Sequence, residues 1–428
     1  MALMEIDLPY GEGQVSVNVP DHAQVIIPKE LPGLSDIRTE IRRALDAPIG
    51  TPRLTQLAAG KSDAVIVIND ITRPAPSGIM LEELLRDLAL AGIKEDKVTI
   101  VIATGNHRPN TQAEIKGMIG FGLASRLRVV NHDGDDLNHL THLGHTDSGL
   151  PVWINSRVTK AAFKIATGLI TPHHGAGYSG GRKSVMPGVA GLKTLNRHHS
   201  LPIRPYHPAY GWMKGNAFHE EAVKVARMVG VDFILNVVKN SCGQVLAAVA
   251  GELETAHEQG VSICRQSWQM NLPCRYDVVI VTPGGYPRDI DLHQSQKAMS
   301  TAEMVIAPAG AIVLIAECRD GIGKYADWLK QAKTPREVIA RFECEGFTKD
   351  HSSKAFMCAR ALEHYSVHLF CNGIPAEEAA QMFFKPAASA QRAIDDALAL
   401  KGPEARVLVL PQAASCVPCV QTEQQNPH

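Results

Sequence analysis

The apolar positions of this chain fall into short runs separated by segments of helical spacing. Near the N-terminus, "EIDLPYGEGQVSVNV" and "AQVIIP" are β-rich runs broken by Gly and Pro, which predicts strands and a hairpin. "LSDIRTEIRRALDAP" changes to helical spacing, with Ser35 at the N-cap position. Alternation then sets in. "AVIVIND" (64–70) is continuously apolar, as expected of a strand buried on both faces. "SGIMLEELLRDLALAG" predicts a helix, "KVTIVIATG" (97–105) a strand, "TQAEIKGMIG" a helix, and "RLRVVNHD" (126–133) and "AAFKIATGLI" (161–170) two more strands.

Further on, "NAFHEEAVKVARMVG" (216–230) reads as an amphipathic helix and "VDFILNVVK" as a strand, followed by the helix "ELETAHEQGVSICRQSWQM" and a linker at "NLPCRYD". The pattern restarts with the strand "DVVIVTPGG" (277–285), the helix "LHQSQKAMSTAEMV" and the strand "GAIVLIAECRDG" (310–321). "ALEHYSVHLFCNG" and "ARVLVLPQ" are two more candidate strands. Strand–helix–strand with short connections predicts α/β architecture with mostly parallel sheets. The reading is an N-terminal α/β domain over 1–270, a C-terminal α/β domain over 275–415 and a flexible tail over 416–428.

In open α/β sheets, ligands sit beyond the carboxyl ends of the strands. Polar clusters follow four candidate strands: "NDITRPAPS" (69–77), "ATGNHRPN" (103–110), "TPHHGAGYSGGRKS" (171–184) and "TPGGYPRDIDLHQSQK" (282–297). The expectation is that they converge on one crevice between the domains, the last coming from the second domain.

Composition narrows the function classes. The chain has 428 residues, 45% hydrophobic and 20% charged, with formal net charge −1. That balance lacks the basic excess of a general nucleic-acid binder. No run has the length of a membrane span, and the N-terminus lacks a secretory signal pattern. The nine cysteines include none before Cys242, a poor disulfide framework that fits a reducing cytoplasm. Cys416 and Cys419 form one C-x-x-C in a polar tail, for which fraying is the plainer reading than metal or redox work.

One segment departs from that balance. From Ser148 to His219 there is no Asp or Glu, while the same 72 residues hold nine Lys or Arg and six His. Within it, "HHGAGYSGGRKSVMPG" (173–188) places adjacent imidazoles, five glycines and an Arg-Lys-Ser together. Gly175 to Gly180 spell G-x-G-x-x-G, but the first acid after Gly180 is Glu220, too late for the ribose-binding acid of a dinucleotide site. Arg182 stands where a P-loop needs Gly before Lys183. A glycine-rich basic loop still suits a phosphate. Lys183 is either a counter-charge or a covalent amine whose neutral form is favoured by repulsion from Arg182. The doublets His173–His174 and His198–His199, with His107 on another strand end, supply candidate bases and metal ligands; without H-E-x-x-H, a zinc hydrolase is disfavoured. Arg73, beside Asp70 and before Pro74, suits carboxylate capture; a structural Arg–Asp pair is the alternative.

Taken together, "DITRPAP", "GNHRPNTQAE", "PHHGAGYSGGRKSVMPG" with a His sixteen residues after the Lys, and "GGYPRDIDLHQSQK" resemble the nickel-dependent lactate racemase family, in order and across nearly the whole chain. The resemblance implies two α/β domains with the active site in the cleft between them. It implies a nickel-pincer nucleotide, a pyridinium-3,5-bisthiocarboxylic acid mononucleotide carrying nickel, covalently joined to Lys183. His199 then matches the nickel ligand, and His107 and His173 the paired acid/bases. Arg73 and Lys297, with Gln294, match the groups on the substrate carboxylate or oxygen. Asp70 orients this cluster, and Gly180 and Gly181 lie near the nucleotide. The implied reaction inverts a 2-hydroxy acid by reversible hydride transfer, one histidine serving each face. The implied partners are the small-molecule 2-hydroxy acid and separate cofactor-biosynthesis proteins, with neither nucleic acid nor membrane; a homo-oligomer is compatible with the chain.

One position departs from the family pattern. His293 stands where its lactate enzymes carry Tyr, which points to a longer or more polar 2-hydroxy acid. The competing readings are an NAD-type 2-hydroxy-acid dehydrogenase and a non-catalytic binder of a nickel nucleotide or phosphate ligand.

Overall fold

The computed structural model describes residues 2–348 and 352–420. The chain divides into two compact units, one spanning Glu30–Ser267 and the other built from the residues up to Lys29 together with those from Trp268 onward.

The Glu30–Ser267 unit is built on a six-stranded sheet in the order Val245–Gly251, Phe233–Lys239, Phe163–Ile170, Ala64–Asn69, Val98–Ala103, Arg128–Asn131. All neighbours run parallel except Val245–Gly251, which returns antiparallel beside Phe233–Lys239. The central runs are continuously apolar because helices cover both faces: Val65, Ile66, Val67, Ile68, Ile100, Val101 and Ile102 are all buried. Each such side chain contributes roughly 1.5–3 kcal/mol by leaving water. The helix Ser77–Leu90 lays Met80, Leu81, Leu84 and Leu88 on that core, at the spacing of one helical face.

The order of this sheet has a direct consequence for function. From Ala64–Asn69 the chain winds outward through Val98–Ala103 to Arg128–Asn131, then returns to place Phe163–Ile170 on the other side of Ala64–Asn69. The winding therefore reverses between Ala64–Asn69 and Phe163–Ile170, and the crevice beyond their carboxyl ends is where an open α/β sheet receives ligands.

In the other unit a six-stranded parallel sheet has the order Lys385–Pro386, Ser366–Phe370, Ile306–Ile315, Tyr276–Val281, Val407–Leu410, Gln24–Val25. The hairpin Leu3–Tyr10 and Gly13–Pro20 sends Leu8, Val17 and Val19 into its core beside Val278, Ile280 and Val313. This is why residues 1–29, which the pattern along the chain grouped with the first domain, cluster with the C-terminal unit.

Local differences from the sequence reading have physical causes. Asp36, not Ser35, caps the helix Ile37–Asp46, its carboxylate accepting from Thr39 N. "AQVIIP" yields only the two-residue strand Gln24–Val25. The expected linker begins inside the strand Gln269–Leu272, which pairs in parallel with Val417–Val420. Cys416 is buried and Val417 is fully covered, so residues 416–420 are a packed strand and not a tail; residues 421–428 lie outside the described residues. In "ALEHYSVHLFCNG" the first four residues end the helix Ser352–His364, and only Ser366–Phe370 is strand. All nine cysteines are free thiols.

Candidate functional site

Three of the four polar clusters stand at the carboxyl ends of adjacent strands of the Glu30–Ser267 unit. Asp70 and Arg73 follow Ala64–Asn69, His107 follows Val98–Ala103, and residues 171–183 follow Phe163–Ile170. They flank the point where the winding reverses.

Asp70 is buried at 3% exposure, and its Oδ2 accepts from His107 Nδ1 at 2.6 Å. Thr72 Oγ1 donates to Asp70 Oδ1 at 2.8 Å and lies 3.3 Å from His107 Nδ1. Burial pushes the Asp70 carboxyl up, but the bonds from His107 and Thr72, with Arg73 close by, outweigh it and hold the group below the usual carboxylate range. The proton therefore resides on His107 Nδ1, which leaves Nε2 as the basic nitrogen of a half-exposed ring. Arg73 makes no ion pair with Asp70 among the described residues; its Nη1 donates to the carbonyl and the hydroxyl of Thr72, and the side chain is exposed. The structural Arg–Asp pair is thus not formed.

His173 is held differently. It sits in the two-residue strand Pro172–His173, paired antiparallel with Gly177–Tyr178. Its Nδ1 accepts from the backbone N–H groups of Gly175 and Ala176, both at 3.1 Å. An Nδ1 that accepts twice carries no proton, so the neutral ring bears its hydrogen on Nε2. Burial, followed by the charge of Lys183 and by His174, Arg73 and His199, holds the His173 pKa well below its ordinary value. His107 and His173 thus present opposite tautomers.

The glycine loop turns sharply after the strand Phe163–Ile170. Gly180 and Gly181 have φ of +79° and +53°, the left-handed region that glycine adopts without penalty. The side chain of Asn236 locks the turn, its Oδ1 accepting from Gly181 N at 2.6 Å. Ser184 Oγ donates to the Thr167 carbonyl at 2.5 Å. Lys183 projects from the short 3₁₀ turn Gly181–Ser184, and its Nζ lies 5.7 Å from the centroid of Phe218. Burial, then the charges of Arg182 and Arg73, lower the Lys183 pKa well below its ordinary value.

His198 and His199 end the helix Leu192–His199. His199 Nδ1 donates to the Leu195 carbonyl at 3.0 Å, which makes Nε2 its lone-pair nitrogen. His198 Nε2 donates to the Phe218 carbonyl at 2.8 Å. The Phe218 ring is therefore a common neighbour: its centroid lies 4.0 Å from His198, 4.8 Å from His199 and 6.4 Å from His173. Asn216 caps the Phe218 helix, Ala217–Val229, and also donates to the Gly175 carbonyl at 2.9 Å. Among the described residues no three His, Cys, Asp or Glu side chains gather as a metal site.

His293, Gln294 and Lys297 belong to the other unit, on the helix Leu292–Glu303. Asp291 caps it, accepting from Gln294 N at 2.6 Å. Lys297 Nζ donates to Gln294 Oε1 at 2.6 Å, the i, i+3 spacing of one helical face. The His293 ring lies 5.9 Å from that of Tyr325.

Comparison with known proteins decides the family. Residues 10–209 match the model of the lactate racemase N-terminal domain, and residues 273–417 that of the lactate racemase C-terminal domain. The chain belongs to the lactate racemase family. It is 32% identical to the lactate racemase of Thermoanaerobacterium thermosaccharolyticum over 97% of this chain and 99% of that one. It is 31% identical to that of Lactiplantibacillus plantarum over 97% of this chain and all of the other. The solved structure of the T. thermosaccharolyticum lactate racemase apoprotein superposes with a TM-score of 0.86 at 32% identity, covering 97% of this chain and 100% of that one. A protein from Thermotoga maritima, 17% identical with a TM-score of 0.63 over 92% of this chain and 100% of that one, shares the fold alone.

Within this family member, sequence reasoning had passed over Phe218, Asn216, Asn236 and His257. A signal existed for Asn236, a polar residue inside the otherwise apolar strand "FILNVVK", fully buried and bonded to the glycine turn. Phe218 gave none, because one aromatic on an amphipathic helix reads as ordinary core.

Proposed function

We propose that the chain is a racemase or epimerase that inverts C2 of a 2-hydroxy acid, using a nickel-pincer nucleotide anchored at Lys183 with His199 as the protein's nickel ligand. The residues suit such a group. His199 is held by the bond from its Nδ1 to the Leu195 carbonyl, and one neutral imidazole is what a metal mostly gripped by its cofactor needs. Lys183 is an amine with no carboxylate partner among the described residues. When bound, the nucleotide supplies an electrophilic pyridinium carbon for reversible hydride transfer, tuned by nickel.

The chain's own residues supply orientation, charge and proton handling. His107 Nε2 accepts the proton of the substrate hydroxyl, and buried Asp70 stabilises the imidazolium that results. His173 addresses the oxygen on the opposite face. Arg73, an exposed guanidinium beyond a strand end, attracts the substrate carboxylate. Gln294 and Lys297 take part in substrate binding, and His293 meets the group beyond the α-carbon. Delivery of the nucleotide by separate biosynthesis proteins and residence in the cytoplasm belong to the same proposal. No helix among the described residues is long and apolar enough to cross a membrane.

The 2.6 Å His107–Asp70 pair beside the reversal of winding carries this reading, since it is a prepared base where the sheet admits a ligand. The test is cofactor-loaded protein offered enantiopure 2-hydroxy acids, with inversion followed by chiral chromatography. Inversion lost in both His107→Ala and His173→Ala supports it. Inversion retained in either, or net redox turnover dependent on added NAD, rejects it.

A further inference from the structure

Phe218 is buried at 1% exposure, and its ring stands among polar groups. The centroid lies 4.0 Å from that of His198, 4.8 Å from that of His199 and 6.4 Å from that of His173, and Lys183 Nζ lies 5.7 Å from it. A Cβ at Gly175 would lie 3.7 Å from the ring's Cζ, so the glycine loop rests against its far end. An ordinary core phenylalanine such as Phe233 belongs instead to an aliphatic cluster that includes Ile165 and Leu235.

The backbone that carries the ring is fixed from both sides. Asn216 Oδ1 accepts from Phe218 N at 3.1 Å, while Asn216 Nδ2 donates to the Gly175 carbonyl at 2.9 Å. The Phe218 carbonyl accepts from His198 Nε2 at 2.8 Å. The ring therefore starts from a point tied to the glycine loop on one side and to the helix Leu192–His199 on the other. None of these bonds uses the Phe218 side chain, so exchanging that side chain leaves them in place.

The effect on His199 follows from geometry. His199 is the last residue of its helix, and its Nδ1 reaches the Leu195 carbonyl one turn back at 3.0 Å. That bond works as a hinge, because the torsion about Cβ–Cγ is broad. The Phe218 ring meets the imidazole edge to face, at an interplanar angle of 77°, and opposes the rotation. His173 lies nearly parallel to the same ring, at 26°, with His174 stacked on it at 4.5 Å.

We propose that Phe218 is a positioning residue: its ring fixes the plane of His199 and spaces that imidazole from the Lys183 amine and from His173. The importance of that spacing rests on the reading of His199 as metal ligand and Lys183 as anchor, since a group held at both ends needs one fixed separation between them.

The test compares two leucine variants of the full chain. Phe218→Leu removes the flat ring beside the site. Phe233→Leu makes the same change at the start of the strand Phe233–Lys239, away from the strand ends that carry the site. Both should lower the Tm. In cofactor-free protein at pH 7.5, nitrogen-15 NMR should find the His199 hydrogen on Nδ1 alone in the wild type and in Phe233→Leu, and shared between both nitrogens in Phe218→Leu. In protein loaded with the nickel nucleotide, Phe218→Leu should lose nickel to EDTA about tenfold faster than the wild type, with Phe233→Leu unchanged. A folded Phe218→Leu that keeps a single His199 tautomer overturns the proposal. So does an unchanged rate of nickel loss, or either change appearing in Phe233→Leu. If Phe218→Leu does not fold, Phe218→Met, which fills the space without a flat ring, is read in its place. A wild type that takes up no nickel nucleotide sinks the racemase reading instead, and the tautomer comparison, made without cofactor, still decides this one.

Discussion

Asp70 Oδ2 accepts from His107 Nδ1 at 2.6 Å, and this contact decides which nitrogen of the imidazole can act as a base. With the proton fixed on Nδ1, Nε2 keeps its lone pair, and a buried carboxylate waits to balance the charge that proton uptake creates. Asp70→Asn removes that charge and lets the ring take either tautomer. In cofactor-loaded protein, kcat for inversion should fall about 10²- to 10⁴-fold with KM little changed. A kcat within threefold of wild type would show that the pair is structural.

His173 offers a second check that needs neither cofactor nor substrate. Its Nδ1 accepts from the N–H groups of Gly175 and Ala176, whereas His107 Nδ1 donates to Asp70. Nitrogen-15 NMR of the histidines in cofactor-free protein at pH 7.5 should find the hydrogen of His107 on Nδ1 and that of His173 on Nε2. Matching tautomers in the two rings would contradict the arrangement. In the proposed reaction the two faces would then be served unequally: His173 would have to release two backbone donors before its Nε2 could act as a base.

Much of this organisation was legible along the chain, and the reasons are specific. Ala64–Asn69 and Val98–Ala103 were found because strands buried on both faces must be apolar throughout. The strand Val245–Gly251 escaped notice because "VLAAVAG", rich in alanine, carries little strand preference and is fixed by pairing with Phe233–Lys239. Residues 1–29 were placed with the wrong neighbours because sequence adjacency says nothing about which sheet a hairpin covers; Leu8 and Val17 settle that only through contact with Val278 and Val313. The polar clusters after Ala64–Asn69, Val98–Ala103 and Phe163–Ile170 declared themselves as polar groups at strand ends. The tautomers of His107 and His173 did not, since each depends on a partner, Asp70 in one case and two backbone N–H groups in the other, that only folding supplies.

The glycine turn has no room for a side chain. A Cβ at Gly180 would lie 2.5 Å from Asn236 Oδ1 and 2.7 Å from Ile170 Cγ1, on a backbone with φ of +79°. Asn236 cannot retreat without releasing Gly181 N. Gly180→Ala should therefore destabilise the protein by about 1–3 kcal/mol, read as a lower denaturation midpoint at unchanged slope. An unaltered midpoint would mean that the turn is softer than its contacts require.

In the proposed reaction His293 meets the group beyond the α-carbon. Its ring stands 5.9 Å from that of Tyr325, and its Cβ lies only 3.1 Å from where Gly323 would carry one, so the backbone there has little freedom. A larger ring at 293 must change what lies at its tip and not where it starts. His293→Tyr should shift relative rates toward lactate and away from malate and gluconate by about tenfold, the scale of one lost hydrogen bond. Unchanged relative rates on the three acids would remove His293 from specificity.

The buried histidines make stability depend on pH in a window distinct from that of the carboxylates. His132 donates from Nε2 to the Ala190 carbonyl at 2.9 Å and accepts at Nδ1 from Asn155 at 3.1 Å, so the neutral ring is satisfied and burial lowers its pKa. His257 is also held neutral, by burial and by Arg182. Above the ordinary histidine value of 6.5 neither the folded nor the unfolded chain protonates these rings, and their contribution is complete. As pH falls below that value, the unfolded chain binds protons that the folded chain refuses, and stability drops by up to about 1.4 kcal/mol per pH unit for each ring. Asp70 and Glu221, whose folded pKa values are lowered, withdraw their contribution only as pH falls through the ordinary carboxylate range. The Tm of cofactor-free protein should therefore decline already between pH 6.5 and 5, and His132→Gln should flatten that decline. A Tm that is level to pH 5 would mean that these rings take up protons in the folded state.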